Sequence, residues 1–233
     1  MEESEKSRSV REMFGSIANR YDFLNHFLSA NIDRRWRQRC LREVAKRVRV
    51  PDPGILDVGC GTADLSLVFS RLGPVVGCDF CHPMLRVGAR KIEGSARIRP
   101  VSLIAADALE LPFPGASFDV VVSAFVLRNL SDTDRGLREM RRVLRPGGIV
   151  GVLEFGLPTI PLVGALYRWY FLRILPRLGR LISGVDGPYG YLPASVEAFP
   201  PIELLKKKVA GAGFTRVEAM RLTGGIAVLV VGS

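Results

Sequence analysis

The chain has 233 residues, 48% of them hydrophobic and 24% charged, with a formal net charge of +10 and a pI of about 9.9. That length and composition allow a full core in one large domain, and the absence of any run of about 18 apolar residues excludes a transmembrane helix. The basic balance favours a polyanionic partner, nucleic acid or an anionic membrane surface, without choosing between them.

Residues 1–50 read as an N-terminal helical cap. Met1 to Arg8 are polar and expected to fray, with order beginning near Val10. Helical spacing then runs through Phe14, Ile17, Tyr21, Leu24 and Leu28. After Asn31 a second helical segment carries Trp36, Cys40, Leu41 and Val44. That segment is strongly basic (Arg34, Arg35, Arg37, Arg39, Arg42, Lys46, Arg47, Arg49), and its plain reading is a solvated helix face.

Pro51-Asp52-Pro53-Gly54 breaks the helix, and residues 51–233 form the main domain. Strands are expected at Ile55–Val58, Val75–Cys78, Val101–Ala105, Phe118–Ala124, Ile149–Phe155, Phe214–Met220 and Ile226–Val231. Helices are expected at Thr62–Leu72, Pro83–Lys91 and Leu130–Leu144, the last with Ser131 as N-cap. Strands alternating with helices predict an α/β fold, a doubly wound, seven-stranded, mainly parallel sheet. A helical insertion, 157–200, follows the fifth strand. Within it Ile160 to Ile182 is apolar and aromatic but punctuated by Arg168, Arg173, Arg177 and Arg180, a pattern that suits a membrane interface, a pocket lid or packing on the sheet.

The four cysteines are Cys40, Cys60, Cys78 and Cys81, and no secretory apolar segment leads the chain, so it reads as cytoplasmic with reduced thiols. Cys78 and Cys81 are spaced as a C-x-x-C pair beside His82. They lack a second ligand pair and straddle a strand end, so no metal site is expected.

In parallel α/β sheets ligands sit beyond the carboxyl ends of the strands. The first strand ends in Gly59-Cys60-Gly61, the second in Asp79, eighteen residues past Gly61, the third in Asp107 and the fourth in Ser123-Ala124-Phe125. An acid at the place of Asp79 can accept hydrogen bonds from ribose hydroxyls. The dinucleotide fingerprint G-x-G-x-x-G would need a third glycine where Asp64 stands, an acid that would repel a pyrophosphate, and there is no triphosphate-binding G-x-x-x-x-G-K-[ST] loop. A nucleoside without phosphates and with a positive charge suits this loop, and S-adenosylmethionine is such a ligand.

The loop Asp57-x-Gly59-x-Gly61-Thr62-Ala63-Asp64, with Asp79 and Asp107-Ala108, resembles class I S-adenosylmethionine-dependent methyltransferases. A closer resemblance lies in Arg20-Tyr21-Asp22-Phe23-Leu24-Asn25-His26, Ile32-Asp33-Arg34-Arg35-Trp36, Phe125-Val126-Leu127-Arg128-Asn129-Leu130, Leu153-Glu154-Phe155 and Leu222-Thr223-Gly224-Gly225-Ile226. These are similar to the signatures of the quinone C-methyltransferases of menaquinone and ubiquinone biosynthesis, and they cover the chain from about Val10 onward. The resemblance implies that Gly59 and Gly61 form the cofactor loop, that Thr62 meets the methionine end, that Asp79 binds the ribose and that Asp107 and Ala108 flank the adenine. Some members have a serine directly before the Phe of the F-x-L-R-N motif. Here Ala124 holds that place, and Ser123, one earlier, is the serine the resemblance implies at the cofactor.

The implied reaction methylates a ring carbon of a polyprenylated hydroquinone, with demethylmenaquinol as the first substrate and a polyprenyl benzoquinol as the alternative. Arg128 and Asn129 are the expected groups at the ring hydroxyl, Tyr21 a substrate contact and His26 a candidate base. Arg128→Ala is expected to abolish transfer while sparing cofactor affinity. A lipid-soluble substrate also gives the basic charge a purpose: transient contact with the inner face of the cell membrane. No nucleic acid is expected, because the acid or asparagine, Pro-Pro and aromatic pattern of base amino-methylation does not follow strand four. A different small-molecule or lipid methyltransferase and a noncatalytic cofactor-binding relative stay open on the residues alone.

Overall fold

Ile55, Leu56, Asp57 and Val58 are all buried, as a strand inside a parallel sheet must be when helices cover both faces. In the computed structural model, which describes residues 5–29, 31–95, 99–158, 164, 167, 169–174, 177 and 188–233, this run is β1 (Ile55–Val58). It belongs to a seven-stranded sheet with β2 (Val75–Asp79), β3 (Val101–Ala105), β4 (Phe118–Ala124), β5 (Leu144–Phe155), β6 (Glu218–Leu222) and β7 (Ala227–Gly232). The spatial order is β3-β2-β1-β4-β5-β7-β6. Strands β1 to β5 pair in parallel, whereas β7 runs antiparallel to both β5 and β6. The expected doubly wound sheet is therefore present. Its strand order turns between β1 and β4, which opens a crevice beyond their carboxyl ends.

The helices are α1 (Glu5–Leu28), α2 (Ile32–Ala45), α3 (Asp64–Phe69), α4 (His82–Glu93), α5 (Thr133–Val143), α6 (Pro188–Ala198) and α7 (Ile202–Gly211). Alternation along β1 sends Leu56 and Val58 into a core with Leu137 and Met140 of α5 and Leu205 and Val209 of α7. Ile55 faces the other core, with Trp36, Cys40 and Val44 of α2 and Leu65 and Phe69 of α3. Each such side chain, fully buried, contributes about 1.5–3 kcal/mol. The basic helix α2 thus presses one apolar face onto the sheet. Gly151 on β5 lets it come close, since a Cβ there would lie 2.8 Å from Val44 Cγ2.

Several local expectations are corrected. Glu5 to Ser9, ahead of the expected start of order near Val10, are already helical, because Lys6 Nζ donates to the carbonyls of Arg128 (3.2 Å) and Leu130 (2.6 Å) and fastens the first turn of α1 to the loop after β4. The helix expected from Leu130 starts at Thr133. Its N-cap is Asp132 and not Ser131: the Asp132 carboxylate accepts from the Arg135 N–H at 2.9 Å, while Leu127–Asn129 form a 3-10 turn. Helix α3 spans only Asp64–Phe69, because Ala63 sits at φ 67 and keeps Thr62 in the loop. Strand β6 begins at Glu218, four residues after the expected Phe214, which is buried in the core ahead of the strand. Most of the stretch 160–182 lies outside the described residues. Its described part includes a π-helical turn, Tyr170–Ile174, with Phe171 packed against Val196 of α6.

Candidate active site

After β1 the chain turns through Gly59 (φ 71), Gly61 (φ 54) and Ala63 (φ 67). At Gly59 a side chain is excluded twice, by the left-handed backbone and because a Cβ would lie 2.4 Å from Val126 Cγ2. The Gly59 and Cys60 N–H groups both donate to the Cys78 carbonyl (2.8 and 2.9 Å), which ties this loop to the end of β2. There the Asp79 carboxylate accepts from the Gly61 N–H on Oδ2 and from the Cys81 N–H on Oδ1, each at 2.8 Å. The backbone aims the carboxylate while each oxygen keeps further acceptor capacity. Burial pushes its pKa up, and these N–H groups partly offset that push. Asp107 is set in the same manner, with Oδ1 accepting from the Leu109 N–H at 2.8 Å.

These loops border a cleft lined by Gly59, Gly61, Asp79, Asp107, Ala108 and Asn129 among others, with Val10, Phe14 and Tyr21 of α1 as its roof. Among the described residues lining it are two carboxylates and no lysine or arginine, a donor set that fits ribose hydroxyls and a cation and opposes phosphates. Ala124, not Ser123, is on the wall: Ser123 is buried and donates to the Val58 carbonyl at 2.8 Å, bracing β4 against β1. Thr62 is also buried. Its hydroxyl bonds Asp22 of α1, and Lys91 of α4 joins Asp22, Thr62 and Asp64. Burial opposes ionisation of Asp64, but Arg37 and Lys91 outweigh it and hold its carboxyl below the usual range. Behind the loop, Asp57 accepts from the Ser66 hydroxyl at 2.6 Å, its Oδ1 is buried without a partner, and burial raises its pKa to about 7.

A second chamber shares Phe14, Tyr21 and Phe125 with the cleft. Its wall carries a stack: Phe125 and Phe155 lie face to face with centroids 4.3 Å apart, the Arg37 guanidinium sits 5.5 Å from the Phe125 centroid and the Arg128 guanidinium 5.1 Å from that of Phe155. Arg128, with a side chain 5% exposed, pairs at 2.9 Å with Glu154, which is fully buried, and donates to the Phe125 carbonyl. The Nε atoms of Arg37 and Arg128 are both buried without a hydrogen-bond partner. Asp33 and Tyr191 complete the polar wall, and the Tyr191 hydroxyl donates to Asn129 Oδ1 at 3.1 Å.

The family model that describes the ubiE/COQ5 methyltransferase family matches residues 1–233. The chain belongs to that family. It is 48% identical over 227 residues to the demethylmenaquinone methyltransferase of Thermus thermophilus, covering 94% of this chain and 99% of the relative. It is 42% identical over 235 residues to the ubiquinone/menaquinone biosynthesis C-methyltransferase UbiE of Geobacter sp. (strain M21), covering 99% and 98%. Among solved structures, a SAM-dependent methyltransferase of Thermotoga maritima superposes with a TM-score of 0.66 at 16% identity, covering 95% of this chain and 98% of that one, a likeness of fold. The protein is thus a methyltransferase, and its cofactor is S-adenosylmethionine.

Within this methyltransferase the sequence-predicted residues divide by location. Gly59, Gly61, Asp79, Asp107, Ala108 and Asn129 line the cleft, Arg128 lines the second chamber, and Tyr21 lines both. His26 lies behind the second chamber, its Nδ1 2.8 Å from Asp33 Oδ2 and its Nε2 3.6 Å from Asp64 Oδ2. Sequence reasoning assigned no role to Asp33, Arg37, Glu154 or Tyr191. A signal existed for Glu154, a lone carboxylate in an apolar strand, which must be paired if buried. Another existed for Asp33 and Arg37, which share a helix face with Trp36 and Cys40 at spacings of three and four.

Proposed function

We propose that this methyltransferase acts on demethylmenaquinol, a 2-polyprenyl-1,4-naphthoquinol, and converts it to menaquinol. The observation that carries the reading is the second chamber: a stacked aromatic wall suits a flat bicyclic ring, and the Arg37 and Arg128 side chains that line it supply positive charge for quinol oxygens. Relatedness at 48% identity to a demethylmenaquinone methyltransferase supports the naphthoquinol over the benzoquinol. S-adenosylmethionine supplies an electrophilic methyl group on a sulfonium. The ring carbon becomes nucleophilic when the neighbouring hydroxyl loses its proton. Arg128, a buried cation, stabilises the negative oxygen that results, and the bonds Asn129 makes to Tyr191 and the Phe125 carbonyl hold its amide at the junction of the two cavities. Tyr21, on both walls, keeps the donor and acceptor sites in register.

A polyprenyl tail dissolves in the bilayer, so the enzyme works at the cytoplasmic face of the membrane as a peripheral protein. The exposed Arg34, Arg35, Arg39 and Arg42 of α2, with Phe23 (60% exposed) and Trp169 (57% exposed), support contact with anionic headgroups. No helix among the described residues is long and apolar enough to cross a membrane. The substrate test incubates the purified protein with methyl-labelled cofactor and either demethylmenaquinol or a polyprenyl benzoquinol, followed by mass spectrometry of the extracted lipid. One labelled methyl on the naphthoquinol, at a kcat/KM about tenfold or more above the benzoquinol, is expected. Preference for the benzoquinol would move the substrate to the ubiquinone series, and no label on either would remove the quinol reading.

A further inference from the structure

The geometry points to Asp33 as the general base that takes the hydroxyl proton of the ring substrate, with His26 as the group that positions its carboxylate. This rests on the quinol reading above, since it names the base for that substrate. Asp33 is 3% exposed, yet it is on the wall of the second chamber. Three groups hold it. The Ser29 hydroxyl donates to Oδ1 at 2.7 Å, while Oδ2 takes both the Arg37 guanidinium and His26 Nδ1, the latter at 2.8 Å. A carboxylate offers about four acceptor sites, so Oδ1 keeps one open. A buried carboxylate on the wall of an aromatic chamber, rigidly held and with acceptor capacity to spare, is placed to accept a proton from a bound hydroxyl.

His26 extends that site away from the substrate. Its Nδ1 meets Asp33 and its Nε2 lies 3.6 Å from Asp64 Oδ2, so the imidazole bridges two carboxylates from different helices. With its proton on Nδ1 the imidazole donates to Asp33 Oδ2 and leaves Oδ1 as the oxygen with an open acceptor site. The charged groups around this bridge are Asp22 of α1, Arg37 of α2, Asp64 of α3 and Lys91 of α4, with Arg128 across the chamber. The histidine alone could not serve, because it is not on the chamber wall and meets the chamber through Asp33.

The quinol O–H bond breaks and its proton moves to Asp33 Oδ1, leaving a naphtholate. The ring carbon beside that oxygen forms a C–C bond to the transferred methyl while the C–S bond breaks, giving S-adenosylhomocysteine and a neutral keto tautomer. That tautomer loses its ring C–H proton to water, and the oxygen recovers the proton held on Asp33. The net products are the methylated quinol, S-adenosylhomocysteine and one proton, with no oxidant or reductant required.

The test compares Asp33→Asn and His26→Asn with wild type on demethylmenaquinol, with melting curves and cofactor binding measured in parallel. In Asp33→Asn an amide oxygen can still accept from Arg37, kcat is expected to fall about 100-fold or more, and cofactor affinity to stay within about threefold. The residual rate should climb roughly tenfold per pH unit on the alkaline side, because substrate ionised in solution needs no base. His26→Asn leaves the Asp33–Arg37 pair standing and should lower kcat about tenfold with little change in KM, so it reads the positioning of the carboxylate even if the first variant fails to fold. A folded Asp33→Asn enzyme that keeps a third of wild-type kcat with an unchanged pH profile overturns the assignment, and so does a His26→Asn enzyme with wild-type kcat. If wild type itself methylates neither quinol, the substrate reading fails and the base falls with it.

Discussion

Replacing Arg128 by alanine removes a guanidinium 2.9 Å from Glu154, a carboxylate with no exposed surface. Two backbone donors remain to it, the Phe155 N–H at 3.1 Å and the Arg128 N–H at 3.4 Å, but no countercharge stands in the arginine's place. Breaking a buried pair in this manner costs about 3–5 kcal/mol, and in a protein of this size each kcal/mol moves Tm by about 2–4 °C, so Arg128→Ala should melt about 6–20 °C below wild type. Loss of turnover in that variant would therefore mix chemistry with stability. The Arg128→Met, Glu154→Leu double variant separates them: an apolar pair of similar volume is often neutral for stability, so Tm should return to within a few degrees of wild type. Turnover should remain about 100-fold or more below wild type, because the cation facing the developing naphtholate is gone. Differential scanning fluorimetry and a labelled-methyl transfer assay on both proteins check this. A single variant that melts within about 2 °C of wild type refutes the stabilising role of the pair, and a double variant within threefold of wild-type turnover removes Arg128 from the reaction.

Two further outcomes are expected. Burial raises the folded Asp57 carboxyl to about 7, above the ordinary carboxylate value, so its contribution to stability is present at low pH and is lost as pH rises from about 4 through 7. Between pH 5 and pH 8 that loss amounts to about 2–3 kcal/mol, so the cofactor-free wild type should lose several degrees of Tm relative to Asp57→Asn, and parallel Tm profiles would contradict the burial argument. At the membrane, co-sedimentation with liposomes should require anionic lipid and weaken as salt rises; binding indifferent to both would leave the basic face of α2 without a role in docking.

The strands were legible because apolar runs bounded by glycine and proline mark buried parallel strands, and β3 and β4 begin and end where the pattern places them. Strand β6 was misplaced because Phe214 reads as strand by composition but packs into the core from the preceding loop. The glycine loop after β1 was legible for a local reason: its glycines answer to the backbone angles of a tight turn at a strand end. The second chamber was not. Its Phe125 and Phe155 meet only because β4 and β5 pair with Ala124 opposite Leu153. Asp33 and Arg37 hid inside a helix whose many arginines suggested a solvated face, and sequence spacing alone does not say which arginine has a buried carboxylate waiting for it. Tyr191 falls in the insertion, where no strand or loop motif fixed its partner.

Helix α1 is held at its first turn by Lys6, rests on α4 through Ala18 against Cys81 and Met84, and contributes Phe14 and Tyr21 to both cavities. A shift of that helix which tightens one cavity necessarily reshapes the other. Thermodynamic linkage makes the coupling reciprocal: whatever free energy a ligand in the cleft adds to binding in the second chamber, a ligand in that chamber returns to binding in the cleft in equal amount. On the proposed assignment, methyl donor and quinol thereby answer to the position of one helix.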